Sequence, residues 1–184
     1  MKITEIVIFI GLLWLIELIN SGMSQQLSQW GVVPRTEAGL PGILIWTFLH
    51  GSFNHLMANT IPLAILSWFV LLRGLKQFVF VTFAITIIAG ILLWLFARPA
   101  IHEGASGLIF GYFGFLVAMG WYERSFKSWF FSILTLFIYG GIIWGVLPQH
   151  GHISWEGHLF GLISGWFIAS RTVKANGKLK ALNL

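Results

Sequence analysis

The sequence predicts an all-α polytopic membrane protein, a bundle of six membrane-spanning helices. Of its 184 residues, 57% are hydrophobic and only 9% are charged, with a mean hydropathy of +0.84. A soluble domain has about 25% charged residues. Apolar segments of helical length recur along the whole chain, and no stretch between them is long and polar enough for a separate soluble domain. We therefore expect residues 1–184 to form a single domain that lies almost entirely in or against the bilayer.

A crossing helix needs about 20 predominantly apolar residues, and six segments approach or reach that length. The first has no small-residue cleavage site behind it, so we expect a retained helix rather than a removed signal peptide. The apolar stretch 35–53 is interrupted by prolines and glycines, which predicts an interfacial or re-entrant structure beside the second span. The predicted spans are 5–19, 55–72, 78–97, 104–122, 129–147 and 153–173.

The lysines and arginines predict the orientation in the membrane. When the loops are assigned alternately to the two sides, nine of these residues fall on one side and only Arg35 and Arg98 on the other. Because Lys and Arg accumulate in cytoplasmic loops, both termini are predicted to be cytoplasmic. We interpret the basic tail from Arg171 to Lys180 as a topology anchor with affinity for anionic membrane lipid, not as a nucleic-acid-binding patch.

The absence of two residue types excludes several chemistries. With no cysteine, disulfides, zinc–thiolate sites and thiol nucleophiles are excluded. With no aspartate, since all six acidic residues are glutamates, a Ser-His-Asp triad is impossible. His50 and His55 are spaced poorly for shared metal ligation, and no H-E-x-x-H motif is present. We therefore expect no metal and no cofactor.

Four polar residues lie near the ends of three different spans, and the predicted topology puts all four ends on the outer side. Polar groups inside hydrocarbon are costly, so each is a functional-site hypothesis. Ser106, at a helix N-terminus whose free N–H groups favour negative charge, is the candidate nucleophile. His158 is the candidate general base. His55 and Asn59 share a helix face and both donate hydrogen bonds, as an oxyanion hole requires.

Each of these residues has a structural alternative that the residues alone leave open. Ser106 resembles the other serines in the spans, which ease helix packing, and His158 is compatible with a packing hydrogen bond. His55 and Asn59 are compatible with an interhelical pair. Five neighbours are predicted to support the site, His50 from beside it, Phe110 by stacking on the base, and glycines through close helix packing. The supporting residues are His50, Gly104, Gly107, Phe110 and Gly161.

Three further histidines lie in the predicted outer loops and are expected to be solvated: His102, His150 and His152.

Three separated motifs resemble the rhomboid family of intramembrane serine proteases. They occur in the family's order, on the matching spans, and the resemblance covers essentially the whole chain. The motifs are His50-Gly51-Ser52-Phe53-Asn54-His55-Leu56-Met57-Ala58-Asn59, Gly104-Ala105-Ser106-Gly107 and Gly157-His158-Leu159-Phe160-Gly161.

The resemblance implies a six-helix core with a water-filled cavity open to the outer side, in which Ser106 and His158 form a catalytic dyad. His55, Asn59 and the Ser106 backbone N–H would form the oxyanion hole. The fifth span, with the loop through Gln149-His150-Gly151, would gate entry. Substrates would be membrane proteins cut in or beside a transmembrane segment, with small residues before the scissile bond. A prokaryotic plasma membrane is the expected location.

Two departures from the family pattern lie outside the expected catalytic set. Ile45-Trp46-Thr47 stands where many relatives carry an aromatic-Arg pair, so the bonding inside the first loop is expected to differ. Phe110 stands where the residue stacked on the base is often Tyr.

Two other functions compete with a protease: a non-catalytic scaffold that captures transmembrane helices and a small transporter. The complete polar set argues against the first, and the absence of an apparent inverted repeat argues against the second.

Overall fold

The computed structural model describes the backbone of residues 2–149 and 153–182, and side chains from 3 to 149 and 153 to 175. Seven α-helices occupy these residues, which confirms the all-α prediction. One of them, α2, is a four-residue helix in the first loop, the segment that joins α1 to α3. Four short 3-10 segments complete the described structure: Leu27–Trp30, Glu37–Gly39, Trp46–Phe48 and Gly140–Val146. The helices are α1 (Lys2–Gly22), α2 (Gly42–Ile45), α3 (Phe53–Leu71), α4 (Leu75–Phe96), α5 (Ser106–Glu123), α6 (Phe126–Tyr139) and α7 (Trp155–Leu182).

Four helical segments are long and apolar enough to cross a bilayer. They are Ile3–Gly22, Phe53–Leu71, Leu75–Phe96 and Phe126–Val146, the last of which joins α6 to its 3-10 extension. Helix α5 is rich in glycine, and α7 continues into the basic tail. Crossing by α5 and α7, and with it the count of six spans, stays a prediction.

Helix α5 forms the centre of the bundle and packs most closely on α7. Most α5 side chains are buried, among them Phe115, which is fully enclosed. A methyl group added at Gly161 of α7 would clash with the Gly107 carbonyl oxygen of α5, and one at Gly165 would clash with the Gly111 carbonyl oxygen. Facing small residues allow such backbone contact between membrane helices, so α5 and α7 form the tightest pair in the described structure.

The first loop packs mainly against α4, and its last residues reach the second span (α3), where His50 Nε2 lies 3.3 Å from Asn59 Nδ2. Arg35 donates to the Ala97 carbonyl at 2.9 Å, and Trp46 Nε1 donates to the Thr86 carbonyl at 3.0 Å. Gly90 of α4 makes room for the loop, because a Cβ there would stand 2.9 Å from the Ile43 carbonyl oxygen. These bonds to α4 anchor the loop without the aromatic-Arg pair.

A buried polar network ties the end of α1 to the first loop. Glu17 and Asn20 are fully buried. Asn20 Nδ2 lies 3.0 Å from Ser28 Oγ and 3.0 Å from the His50 carbonyl, and Asn20 Oδ1 accepts from the Leu27 N–H at 2.9 Å. Gln25 Nε2 donates to Glu17 Oε1 at 3.1 Å. Buried polar groups need such partners, and these partners hold α1 against the chain segment that carries His50.

Candidate active site

A cavity of about 860 Å³ opens among the ends of α3, α5 and α7. Loop residues between α4 and α5 contribute part of its wall, including Arg98 and Glu103. The wall brings together side chains that are far apart in the sequence. Among these are five predicted site residues: His55, Asn59, Ser106, Phe110 and His158.

Ser106 is the first residue of α5, two positions closer to the helix start than the predicted span boundary implied. The chain enters this helix through Gly104, whose φ of +125° favours glycine. A Cβ at Gly104 would also stand 2.7 Å from His55 Cε1 and 3.7 Å from Ser106 Oγ. Glycine therefore gives both the backbone turn that exposes Ser106 and the space between its hydroxyl and the His55 ring.

The His158 imidazole is held from two sides. Its ring stacks on Phe110, with centroids 4.2 Å apart and ring planes 5° from parallel. Its Nδ1 lies 2.9 Å from the carbonyl oxygen of Gly145, which belongs to the 3-10 segment after α6. Because a carbonyl can only accept, Nδ1 must carry the proton in this bond. In the neutral ring, Nε2 is then the unprotonated nitrogen.

Ser106 and His158 share the cavity wall, but no hydrogen bond joins their side chains among the contacts of the described residues. Catalytic hydrogen bonds are often long in substrate-free enzymes and shorten when substrate binds. The backbone contact of Gly107 with Gly161, one and three residues beyond the two side chains, holds the helices that carry them together.

His50 links three parts of the site from a fully buried position. Its Nε2 accepts from the Ala105 N–H at 3.2 Å and lies 3.3 Å from Asn59 Nδ2. Its ring meets the His55 ring edge to face, with centroids 5.1 Å apart. Burial lowers the pKa of His50 to about 3, with a smaller lowering from His55. His50 is therefore neutral, and its accepting nitrogen fixes Asn59 relative to the start of α5.

Asn59 keeps one amide N–H for a ligand. Its side chain is 7% exposed, and Nδ2 carries two hydrogens, of which one points to His50. His55 lies one helical turn earlier on the same face of α3 and also reaches the cavity. Two hydrogen-bond donors thus approach the space beside Ser106 from α3.

Glu103 is a cavity residue that the sequence reasoning did not single out. Burial raises the pKa of this carboxyl group to about 7; a hydrogen bond from Ser28 opposes the rise, and the nearby Glu17 adds to it. Gly51 leaves room for the carboxyl group, since a Cβ there would stand 2.8 Å from Glu103 Oε1. A carboxyl group with this pKa changes charge near neutral pH.

The expectation that His102 is solvated is wrong. His102 is 1% exposed, its Nδ1 lies 2.7 Å from Ser154 Oγ, and its Nε2 lies 3.0 Å from the Arg98 carbonyl. Its backbone pairs with Val32 in an isolated antiparallel bridge, which draws the loop inward. Such a long-range bridge leaves no pattern in the sequence. His150 and His152, predicted to be solvated, lie outside the described residues.

Arg98 ties the rim of the cavity together. Its Nε lies 3.3 Å from Glu156 Oε1 at the start of α7, and its guanidinium donates to the carbonyls of Ile153 and Gln149. The loop before α5 is therefore bonded to the chain on both sides of residues 150–152. Across the part of the chain that the structure describes, no three His, Cys, Asp or Glu side chains group as a metal site.

The fold and the site define a class of protein: a polytopic membrane protein with a polar cavity among its helices. The rhomboid domain family matches residues 38–175. An uncharacterized protein of Mycobacterium tuberculosis is 40% identical over 97% of this chain and 78% of its own length. An uncharacterized protein of Mycobacterium leprae is 37% identical over 96% of this chain and 74% of its own length. A protein of Acanthamoeba polyphaga mimivirus, named as a putative rhomboid protein, is 30% identical over 71% of this chain and 74% of its own length.

The chain belongs to the rhomboid family. Members of this family are membrane-embedded intramembrane serine proteases that act on membrane proteins. The protein is thus an integral membrane protein, and relatives occur in mycobacteria.

Proposed function

We propose that this protein is an intramembrane serine endopeptidase that hydrolyses peptide bonds in or beside transmembrane segments through a Ser106–His158 dyad. The observation that carries the proposal is the shared cavity, with Ser106 at a helix N-terminus and His158 held with Nε2 unprotonated. Family membership supports the reaction class.

In the proposed first step, Ser106 Oγ attacks the scissile carbonyl carbon while His158 Nε2 takes the hydroxyl proton. The carbonyl oxygen becomes an oxyanion, which accepts hydrogen bonds from His55, Asn59 and the Ser106 main-chain N–H. His158 then gives its proton to the leaving amine as the C–N bond breaks. Water, deprotonated by His158, then attacks the acyl ester. As the ester C–O bond breaks, His158 returns the proton to Ser106 Oγ, and the second product leaves as an acid.

Substrates of this proposed enzyme are single-pass or polytopic membrane proteins whose transmembrane helix unwinds near the cleavage site. A regular helix hides its carbonyls within its own hydrogen bonds, so the substrate helix must unwind before Ser106 can attack. Small residues before the scissile bond are expected from the resemblance to the rhomboid family. The charge distribution supports cytoplasmic termini and a cavity open to the extracytoplasmic side. The bacterial relatives support a location in a bacterial plasma membrane.

The experiment is cleavage of a fluorogenic reporter with a transmembrane segment by the purified protein in liposomes. Wild type is compared with Ser106→Ala and His158→Ala, and Ser164→Ala is the matched control. Ser164 is a buried serine of α7 that donates to the Phe160 carbonyl of its own helix. We expect loss of at least about 10³-fold in the first two variants, as for other catalytic serines and histidines, and near wild-type cleavage in the control.

Labelling with a fluorescent fluorophosphonate separates the remaining outcomes. Labelling that requires both Ser106 and His158 supports the proposed dyad even when the reporter is a poor substrate. Equal cleavage by all four proteins would identify a contaminating protease. No cleavage and no labelling of the folded wild type would overturn the proposal in favour of a non-catalytic scaffold.

A further inference from the structure

The base of the proposed dyad lacks the partner that an aspartate supplies in a Ser-His-Asp triad. That aspartate holds the imidazole in one tautomer and one orientation, and this chain contains no aspartate. The described contacts of His158 include one polar partner for Nδ1, the Gly145 carbonyl oxygen at 2.9 Å. The bond fixes the proton on Nδ1 and leaves the Nε2 lone pair for the serine hydroxyl.

Close packing makes this contact specific to glycine. A Cβ at Gly145 would stand 2.8 Å from Phe110 Cζ and 3.3 Å from His158 Nδ1. A Cβ contact of 2.8 Å is essentially never seen and one of 3.3 Å is unusually tight, so any other residue at position 145 would shift either the segment or the stacked rings. The neighbouring Gly140 and Gly141 show the contrast, because a Cβ at either has nothing within 4 Å.

We infer that the Gly145 main-chain carbonyl is a positioning group for catalysis, which orients His158 as an aspartate does in a triad. The inference deepens the proposed function and rests on it. A backbone carbonyl carries a dipole rather than a full charge, so it sets the tautomer and orientation of the ring without a buried anion. Phe110 completes the arrangement by fixing the plane of the ring.

The location of Gly145 couples the base to α6. Gly145 lies in the Gly140–Val146 segment that continues α6, while His158 lies on α7 and Phe110 on α5. Helix α6 is the least buried of the four segments able to cross the bilayer. A displacement of the outer end of α6 therefore removes the orienting bond while the contacts between α5 and α7 remain.

The first test compares Gly145→Ala with the matched control Gly141→Ala, using the transmembrane reporter in liposomes. We expect Gly145→Ala to lower kcat by about 100-fold with little change in KM, because a displacement of about 1 Å at a catalytic group has that cost. We expect Gly141→Ala to retain wild-type kcat. Thermal unfolding of both variants checks that the fold survives.

A second variant weakens the acceptor without adding an atom beside the rings. Replacing Val146 by its α-hydroxy acid converts the bond after Gly145 into an ester, whose carbonyl is a weaker acceptor. The matched control places glycolic acid at position 141, which weakens the Gly140 carbonyl in the same segment. We expect about a tenfold fall in kcat for the first ester only, the effect of losing about one hydrogen bond.

A spectroscopic measurement distinguishes orientation from general damage. In protein labelled with ¹⁵N-histidine, the His158 resonances are those lost in His158→Gln. We expect Nδ1-protonated imidazole in the wild type and a mixture of tautomers in the Val146 ester. Two results would overturn this inference but leave the proposed function standing, provided that the wild type cleaves the reporter. One is an equal kcat for the two ester variants, and the other is a His158 tautomer that is the same in the Val146 ester as in the wild type. Absence of cleavage and labelling in the wild type would instead remove the proposed function.

Discussion

Helix α6 and the α5–α7 pair show two ways of holding a helix in this bundle. Phe115 at the centre of α5 is 0% exposed, whereas Phe137 of α6 is 87% exposed. Glycines bring the backbones of α5 and α7 into contact, while α6 meets α5 at fewer places, among them Gly120 against Ser132. Lipid tails are as apolar as the helices, so close packing rather than hydrophobicity holds membrane helices together. The proposed nucleophile and base thus lie on the most closely packed pair, α5 and α7. The Gly145 carbonyl, which we infer orients the base, lies in the segment that continues the peripheral helix α6.

The largest expected effect on stability comes from removing a buried side chain at the centre of the α5–α7 pair. Phe115→Ala should lower the free energy of unfolding by about 3 kcal/mol, the low end for such truncations, because the cavity cost remains while transfer to lipid costs little. Equilibrium unfolding in mixed micelles with increasing denaturing detergent measures this difference. A loss below about 1 kcal/mol would show that the interior of α5 is loosely packed.

The second prediction concerns the backbone contact between Gly107 of α5 and Gly161 of α7. Gly161→Ala places a methyl group against the Gly107 carbonyl oxygen and should destabilise the protein by about 2 kcal/mol through overpacking. The control is Gly11→Ala in α1, where a Cβ has nothing within 4 Å and alanine favours helix formation. We expect the control to leave the unfolding midpoint unchanged or slightly raised. Equal destabilisation by both would contradict the difference between the two sites.

The third effect concerns the loop that leads into α5. The pKa of Glu103 in the folded protein, about 7, lies above the ordinary value of 4.5. The folded state therefore holds this proton more tightly than the unfolded state, and this contribution to stability is present below pH 4.5 and is lost as pH rises to about 7. Glu103→Gln, which cannot titrate, should narrow the difference in unfolding temperature between pH 4.5 and pH 8. An unchanged difference would show that Glu103 titrates normally.

The smallest effect is expected on the outer face of α6. Phe137→Ala removes a side chain that has few protein neighbours, so the free energy of unfolding should change by less than about 0.5 kcal/mol. The measurement is the same unfolding in mixed micelles, with Phe115→Ala as the reference. A loss comparable to that of Phe115→Ala would mean that another surface covers α6.

Hydropathy indicated where the long helices lie, because a run of apolar side chains constrains where a helix can lie in a membrane. It did not indicate every helix end, since α7 continues to Leu182 whereas the predicted span stops at 173. The predicted span 55–72 corresponds to Phe53–Leu71, and 78–97 to Leu75–Phe96. The four-residue helix α2 was not predicted, since so short a helix depends on its contacts with α4 rather than on its own pattern. Loop positions were predicted less well for the same reason, as the burial of His102 shows.

The side chains of the candidate site could be proposed from the sequence because polar residues stand out against apolar spans. Ser106, His158, His55 and Asn59 lie on one cavity wall in the structure. The Gly145 carbonyl could not be proposed, since every residue has a carbonyl and only the course of the chain brings this one to His158. A role that depends on the backbone leaves no pattern in a single sequence, and Gly145 does not stand out in a segment that also contains Gly140 and Gly141.

The buried network around Asn20 bears on how the chain enters the membrane during synthesis. Helix α1 emerges before α3 and carries Glu17 and Asn20, two polar side chains that are costly in hydrocarbon without partners. Most of their partners, Gln25, Leu27 and Ser28, follow almost at once in the chain. The polar end of α1 can therefore be sheltered by its own neighbours before α3 is made. The His50 carbonyl joins later, so α1 can enter the bilayer with most of the polar contacts of Glu17 and Asn20 already formed.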